Sequence, residues 1–310
     1  MKILIGYDGS ECSDAAIVNL RRAGLPAEAE ALVMSVADAA PHGAAIPYSA
    51  TVVGPGMMFP DNPQIGQAGA DHLEEAQDFA AQGAERLRAD FPGWKISTEA
   101  WVDSPGAAII RKAHAWNPDL IVLGCHGRHG LSRLVLGSVS ANVLNHVACS
   151  VRISRHRLHA QDRPVRLLIG VDGSNCSKVA IRAVAQRNWP KGTETQIIGV
   201  RDSRIEITAG GAPESYIPPE TEEEARRKLF EAVHEAKEEL AKSGLHSTYQ
   251  VLTGIPCETL LAEAERWGAD SIFVGARGLN RLERMFLGSV STAVAAHARC
   301  SVEVVRGHRS

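Results

Sequence analysis

Short apolar runs separated by longer amphipathic stretches organise this chain. The runs at Lys2 to Tyr7, Ala31 to Val36, Ser97 to Val102, Leu120 to Leu123 and Ser150 to Ser154 are too short for helices, and several are rich in Val, Ile and Leu, which predicts strands. Between them, Leu73, Ala76, Ala80, Ala84 and Leu87 recur at the three- and four-residue spacing of a helix with one buried face. A second helix is predicted where Thr221 and Glu224 form a capping-box pattern, Leu229, Val233, Ala236 and Leu240 mark the buried stripe, and Gly244 ends it. Strands that are apolar throughout, alternating with helices, imply a parallel sheet covered on both faces.

The pattern occurs twice. Ile3 to Ser13, with Gly6, Asp8, Gly9, Ser10 and Cys12, returns as Leu167 to Ser177, with Gly170, Asp172, Gly173, Ser174 and Cys176, 164 residues on. Gly124 and Gly127 return as Gly275 and Gly278, and Leu136 to Ser140 as Leu287 to Ser291, 151 residues on. The first half is therefore 13 residues longer between its markers. Two doubly wound α/β domains are expected, at 1–156 and 165–306, with a polar basic linker at 157–164 and a tail at 307–310. The segment from Asp38 to Ala70 carries Pro41, Pro47, Pro55, Pro60 and Pro63 among five glycines, too many breakers for regular structure. A loop of this length suits a lid or a partner-binding arm, with Met57, Met58 and Phe59 as its sticky residues, or a plain surface loop.

Composition narrows the partners. With 33 basic and 36 acidic residues the formal charge is −3, so no overall positive field favours nucleic acid or an anionic membrane. No apolar run approaches the roughly 20 residues of a membrane span, and Met1 to Ile5 leads into Asp8 without a signal-peptide core, which makes the cytoplasm the expected compartment. The six cysteines form no C-x-x-C pair. Cys12 matches Cys176 and Cys149 matches Cys300 in the repeat, so they look inherited with the scaffold rather than redox-active. His126 and His129 stand three apart, and no metal site is expected there.

In open parallel sheets ligands bind beyond the carboxyl ends of the strands. Those ends carry Gly6 and Asp8, Gly170 and Asp172, Gly124, and Gly275. A glycine there admits a flat ligand, and an aspartate accepts from ribose hydroxyls or an adenine amine, although it also suits a helix N-cap. After the fourth strand of each half runs Gly-x2-Gly-x9-Gly-Ser: Gly124, Gly127, Gly137 and Ser138, then Gly275, Gly278, Gly288 and Ser289. The Gly-Ser pair is expected to open a helix whose backbone N–H groups and dipole favour anions. Ser140 and Ser291 add hydroxyls, and Arg128 with Arg133, or Arg277 with Arg284, add positive charge.

An Asp after strand one with this glycine motif after strand four, in both halves, resembles the universal stress protein family, as a tandem two-domain member. The resemblance implies an adenine nucleotide alpha hydrolase-like fold, with five parallel strands per half and a pseudo-two-fold axis. It also implies that Ser150 to Ser154 and Ser301 to Val305 pair across that axis, so that exposed sheet edges are removed. Family members with the motif bind ATP. By resemblance, Asp8 and Asp172 lie at the adenosine, Val36 and Val200 against adenine, and the glycine loops around ribose and phosphates. The implied ATP set is Gly6, Asp8, Val36, Gly124, His126, Gly127, Arg128, Gly130, Gly137, Ser138, Val139 and Ser140. In the second half it is Gly170, Asp172, Val200, Gly275, Arg277, Gly278, Gly288, Ser289, Val290 and Ser291. Mg²⁺ or Mn²⁺ can accompany the triphosphate without a protein-only ligand set.

Three departures bear on the sites. Asp103 stands where the second half has Gly254, bringing a carboxylate near the first nucleotide. Arg281 replaces Gly130, and Glu283 replaces Ser132. No P-loop, dinucleotide fingerprint or catalytic-base constellation occurs. The expected function is an ATP-binding stress-response regulator or sensor with one nucleotide per domain and scope for homodimer formation. A slow ATPase or self-phosphorylating enzyme, and a nucleotide-free interaction scaffold, are the alternatives.

Overall fold

The computed structural model describes residues 1–38, 63–126, 136–155, 163–203, 219–278 and 287–307. In the first half β1 (Lys2–Gly6), α1 (Glu11–Leu20), β2 (Glu30–Ala37), α2 (Pro63–Asp90), β3 (Lys95–Val102), α3 (Pro105–Trp116), β4 (Leu120–Gly124), α4 (Ser138–His146) and β5 (Ser150–Ser154) alternate. The second half repeats them as β6 (Arg166–Val171), α5 (Asn175–Ala185), β7 (Glu194–Asp202), α6 (Pro219–Lys242), β8 (His246–Gly254), α7 (Pro256–Trp267), β9 (Ser271–Gly275), α8 (Ser289–His297) and β10 (Ser301–Val305).

The ten strands form one sheet in the order β3-β2-β1-β4-β5-β10-β9-β6-β7-β8, which reads the same from either end once the halves are exchanged. Within each half the pairs are parallel, and β5 meets β10 antiparallel, with Ile153 opposite Val302, Arg152 opposite Glu303 and Val151 opposite Val304. The expected pairing of the last strands is therefore present. It covers the β5 and β10 edges, whereas β3 and β8 remain as the ends of the sheet.

Strand residues alternate between layers because successive side chains point to opposite faces. Along β1, Leu4 joins one core while Ile3 and Ile5 join another. The Leu4 face carries α3, α4, α7 and α8 and forms a single core through both halves, from Ile109 and Val143 to Leu260 and Val294. The opposite face divides into one core under α1 and α2 and another under α5 and α6. Burial on both faces is why the central strands β1, β4, β6 and β9 carry so few polar residues, whereas the edge strands β3 and β8 are richer in them.

The seam extends beyond the strands. Gly24, with φ +64°, has its open side filled by the Trp189 ring of the second half, and the Asn188 N–H donates to the Gly24 carbonyl at 2.9 Å. Arg163, expected in a solvated linker, instead donates to Asp270 at 2.7 Å, and Arg22 reaches the same carboxylate at 3.0 Å.

Two element boundaries differ from expectation. Helix α2 begins at Pro63, inside the segment expected to lack regular structure, because proline fits the first helical position, where its missing N–H has no intrahelical partner. The same device starts α6 at Pro219, so Thr221 lies within the helix rather than at its cap. The glycine stop holds: Gly244 has φ +80°. Met57, Met58, Phe59 and most of the Asp38 to Ala70 loop lie outside the described residues.

Candidate functional site

Strands β1 and β4 are neighbours whose connections leave in opposite directions along the sheet, as are β6 and β9, so each half has its topological switch point between these two pairs. Asp8 and Asp172 follow the first strand of each pair. Asp8 Oδ1 accepts from the Ser10 N–H at 3.1 Å and the Ser10 hydroxyl at 2.6 Å. Asp172 Oδ1 accepts from the Ser174 N–H at 3.0 Å, while the Ser174 hydroxyl turns to the Arg277 carbonyl at 3.2 Å. Neither aspartate is the N-cap. That role belongs to Ser10 and Ser174, whose hydroxyls accept from Ser13 N and Ser177 N.

In the second half the glycine motif closes on Asp172. A Cβ at Gly278 would lie 2.7 Å from Asp172 Oδ2, so the carboxylate rests over the Gly278 backbone. The far end of each loop is tied back to its near end, Gly137 N–H to the Cys125 carbonyl and Gly288 N–H to the Ala276 carbonyl, both at 2.8 Å. Helices α4 and α8 then begin at Ser138 and Ser289, as the motif predicts. Their N-caps, Gly137 and Gly288, supply no side-chain hydrogen bond. The N–H groups of Ser138, Val139 and Ser140, and of Ser289, Val290 and Ser291, therefore emerge from an uncapped helix end. Ser138 and Ser289 are exposed.

Other members of the expected set have different work. Ser140 is buried and donates to the Gly124 carbonyl at 2.7 Å, and Ser291 donates to Ala276 at 3.0 Å and to Gly288 at 2.9 Å. Their hydroxyl protons are thus engaged by backbone. The glycines at the strand ends are filled by protein: a Cβ at Gly124 would sit 2.9 Å from the Cys12 carbonyl carbon, and one at Gly275 2.5 Å from that of Cys176. At Gly6 and Gly170 the neighbours are Leu123 and Leu260. Val36, Val200, Val139 and Val290 are half-buried against the shared core. Asp103 pairs with Arg111 and accepts from the Ser104 N–H, which engages both its carboxylate oxygens within its own turn and α3. Gly127, Arg128, Gly130, Arg133, Arg281, Glu283 and Arg284 lie outside the described residues.

Two thiols accompany His126. Cys12, in the first turn of α1, brings its Sγ within 3.3 Å of Cys125 Sγ, and His126 Nδ1 is also 3.3 Å from Cys125 Sγ. The Cys125 thiol is held down to about 6 by donation from Cys12 and by the nearby Arg155 charge, against the opposing effect of burial. Cys12 is pushed up, because it keeps the proton it donates. Sequence reasoning missed this pair because the partners lie 113 residues apart; the signal was that Gly124, next to Cys125, ends a strand adjacent to the one leading into Cys12.

Comparison with known proteins identifies the family. The model of the universal stress protein family matches twice, over residues 1–155 and 165–306. The chain belongs to the universal stress protein family. A universal stress protein of Mycolicibacterium smegmatis is 29% identical over 98% of this chain and 96% of its own length. The universal stress protein YxiE of Bacillus subtilis is 29% identical over 145 residues, covering 46% of this chain and 98% of its own. The crystal structure of a universal stress protein from Archaeoglobus fulgidus superposes with a TM-score of 0.65 at 22% identity, covering 98% of both chains, which shows a common fold. This universal stress protein thus carries two copies of the family domain in one continuous sheet. Among its described residues no helix is long and apolar enough to cross a membrane.

Proposed function

We propose that this universal stress protein binds an adenine nucleotide, ATP, in each half and acts as a regulator through the occupancy of the two sites. The observation that carries the reading is the contrast between helix ends at each switch point: α1 and α5 are capped by serines, whereas α4 and α8 begin on glycines and leave their first-turn N–H groups without a side-chain cap. An anion is the partner such an end favours, and a polyphosphate fits a chain with no broad positive field. Asp8 and Asp172, just after β1 and β6, offer carboxylate acceptors suited to ribose hydroxyls. The adenine assignment follows from family resemblance. Occupancy regulates only if the nucleotide has different affinity for two states of the protein.

A narrower role holds at Gly124 and Gly275. Their missing side chains make room for the first turns of α1 and α5, so these two glycines serve the fold whether or not a nucleotide binds.

Calorimetric titration of the nucleotide-free chain with ATP tests the reading, with two sites expected. Gly278→Glu should leave one, because the new carboxylate meets Asp172 and occupies the phosphate path. Two sites in the variant would refute the phosphate placement, and no heat with the parent chain would refute nucleotide binding.

A further inference from the structure

Cys12 and Cys125 have a setting that their counterparts in the second half lack. Cys125 is 3% exposed and Cys12 half-buried, and their sulfurs are in contact at 3.3 Å. Beside them Arg155 is 4% exposed; its Nη2 donates to the carbonyls of Ala295 and Ala296, while Nε and Nη1 are buried without a hydrogen-bond partner among the described residues. A buried guanidinium so arranged calls for an anion. The Cys125 thiolate supplies one, and Arg155 in turn lowers the Cys125 pKa. The three donors Cys12, Cys125 and His126 also lie within 4.8 Å of one another, close enough to ligate a metal. The Arg155 charge beside Cys125 works against a divalent cation and in favour of a free thiolate. In the second half Ala276 replaces Cys125 and Arg277 replaces His126, so Cys176 stands without the pair.

We infer that Cys12 and Cys125 are a modification site for hydrogen peroxide, closing to a disulfide that only the first half can form. The Cys125 thiolate attacks one peroxide oxygen, the O–O bond breaks, and the departing hydroxide takes up a proton to become water. Cys125 is then a sulfenic acid, and the peroxide has been reduced. The Cys12 sulfur attacks the Cys125 sulfur, its proton goes to the expelled hydroxyl, and the S–S bond forms with release of a second water. The burial of Cys125 selects a small oxidant over a bulky disulfide. Closure shortens the contact from 3.3 Å to about 2.05 Å. It draws the first turn of α1, which follows Asp8 and Ser10, toward the end of β4.

Tryptic peptides Ile3–Arg21 and Ala113–Arg128 each contain one cysteine, so non-reducing peptide mapping of the full chain after peroxide treatment reads the bond directly. The expected product is these two peptides joined, separated again by dithiothreitol. Cys12→Ser should abolish the joined species and leave a dimedone-reactive sulfenic acid on Cys125. Cys125→Ala, the residue that the fold already holds at Ala276, should abolish both. Absence of the joined peptides from the peroxide-treated parent, or sulfenic acid on Cys12 in the Cys125→Ala chain, would overturn the inference. A consequence for ligand binding rests on the function proposed above: the oxidised chain should bind one ATP where the reduced chain binds two. The peptide map requires no nucleotide, so failure of the disulfide and failure of ATP binding are read separately.

Discussion

At the scale of single residues, the two halves use the same letters for different bonds. Ser10 turns its hydroxyl back onto Asp8, whereas Ser174 sends it across to Arg277, and among the described residues Asp172 Oδ1 keeps the backbone donor of Ser174. Within the first half alone the cysteines differ more sharply. Burial pushes the Cys149 thiol up to about 11, while Cys12 and Arg155 hold Cys125 down to about 6. The sign for reactivity follows from the thiolate being the nucleophile. Below its pKa Cys125 loses about a factor of ten in thiolate for each unit of pH, and above it the fraction levels off. Iodoacetamide labelling of Cys125 should therefore rise up to about pH 6 and stay flat through neutrality, with Cys149 still unlabelled. Mass spectrometry of the tryptic peptides gives both rates, and a Cys125 profile that continues to climb beyond pH 8 would contradict the donation from Cys12 and the Arg155 charge.

At the scale of elements, much was legible because the central strands β1, β4, β6 and β9 are apolar on both faces, while the edge strands β3 and β8 carry polar residues. The repeat fixed which strand ends correspond, and the Gly-Ser pairs marked the starts of α4 and α8. What could not be read was which atoms fill the glycines. Glycine is selected equally by an approaching ligand and by an approaching helix, and only packing tells them apart. At Gly275 the neighbour is the backbone of Cys176, which cannot rotate away as a side chain can. Gly275→Ala should therefore push the first turn of α5 off the end of β9, at about 1–3 kcal/mol, the usual range for overpacking. Urea unfolding of the full chain measures this, and an unchanged midpoint would show that the helix yields freely. The capping-box pattern at Thr221 misled for a related reason: a proline two residues earlier pre-organises the helix start, and local hydrogen-bond logic at Thr221 does not register it.

At the scale of the whole molecule, the question is why the two halves pair with each other. Arg152 and Glu303 occupy the same position of the repeat and lie opposite one another at the centre of the antiparallel β5–β10 pair. Both are essentially inaccessible, and Glu303 also receives Arg187, with Nη1 donating at 2.9 Å. Two first halves joined through β5 would bury Arg152 against Arg152, and two second halves joined through β10 would bury Glu303 against Glu303. Like charges directly opposite in a buried ladder are unfavourable, so the pair selects the mixed assembly over either homodimer. Residues 1–160 and 161–310, produced as separate chains and mixed, should form a one-to-one complex by analytical ultracentrifugation. In the intact chain Glu303→Gln should cost about 3–5 kcal/mol, because it leaves Arg152 and Arg187 buried without their counter-charge. The same substitution in the 161–310 chain should remove the preference for the 1–160 partner. Homodimers that persist after mixing would show that shape, not this charge pair, decides which edges meet.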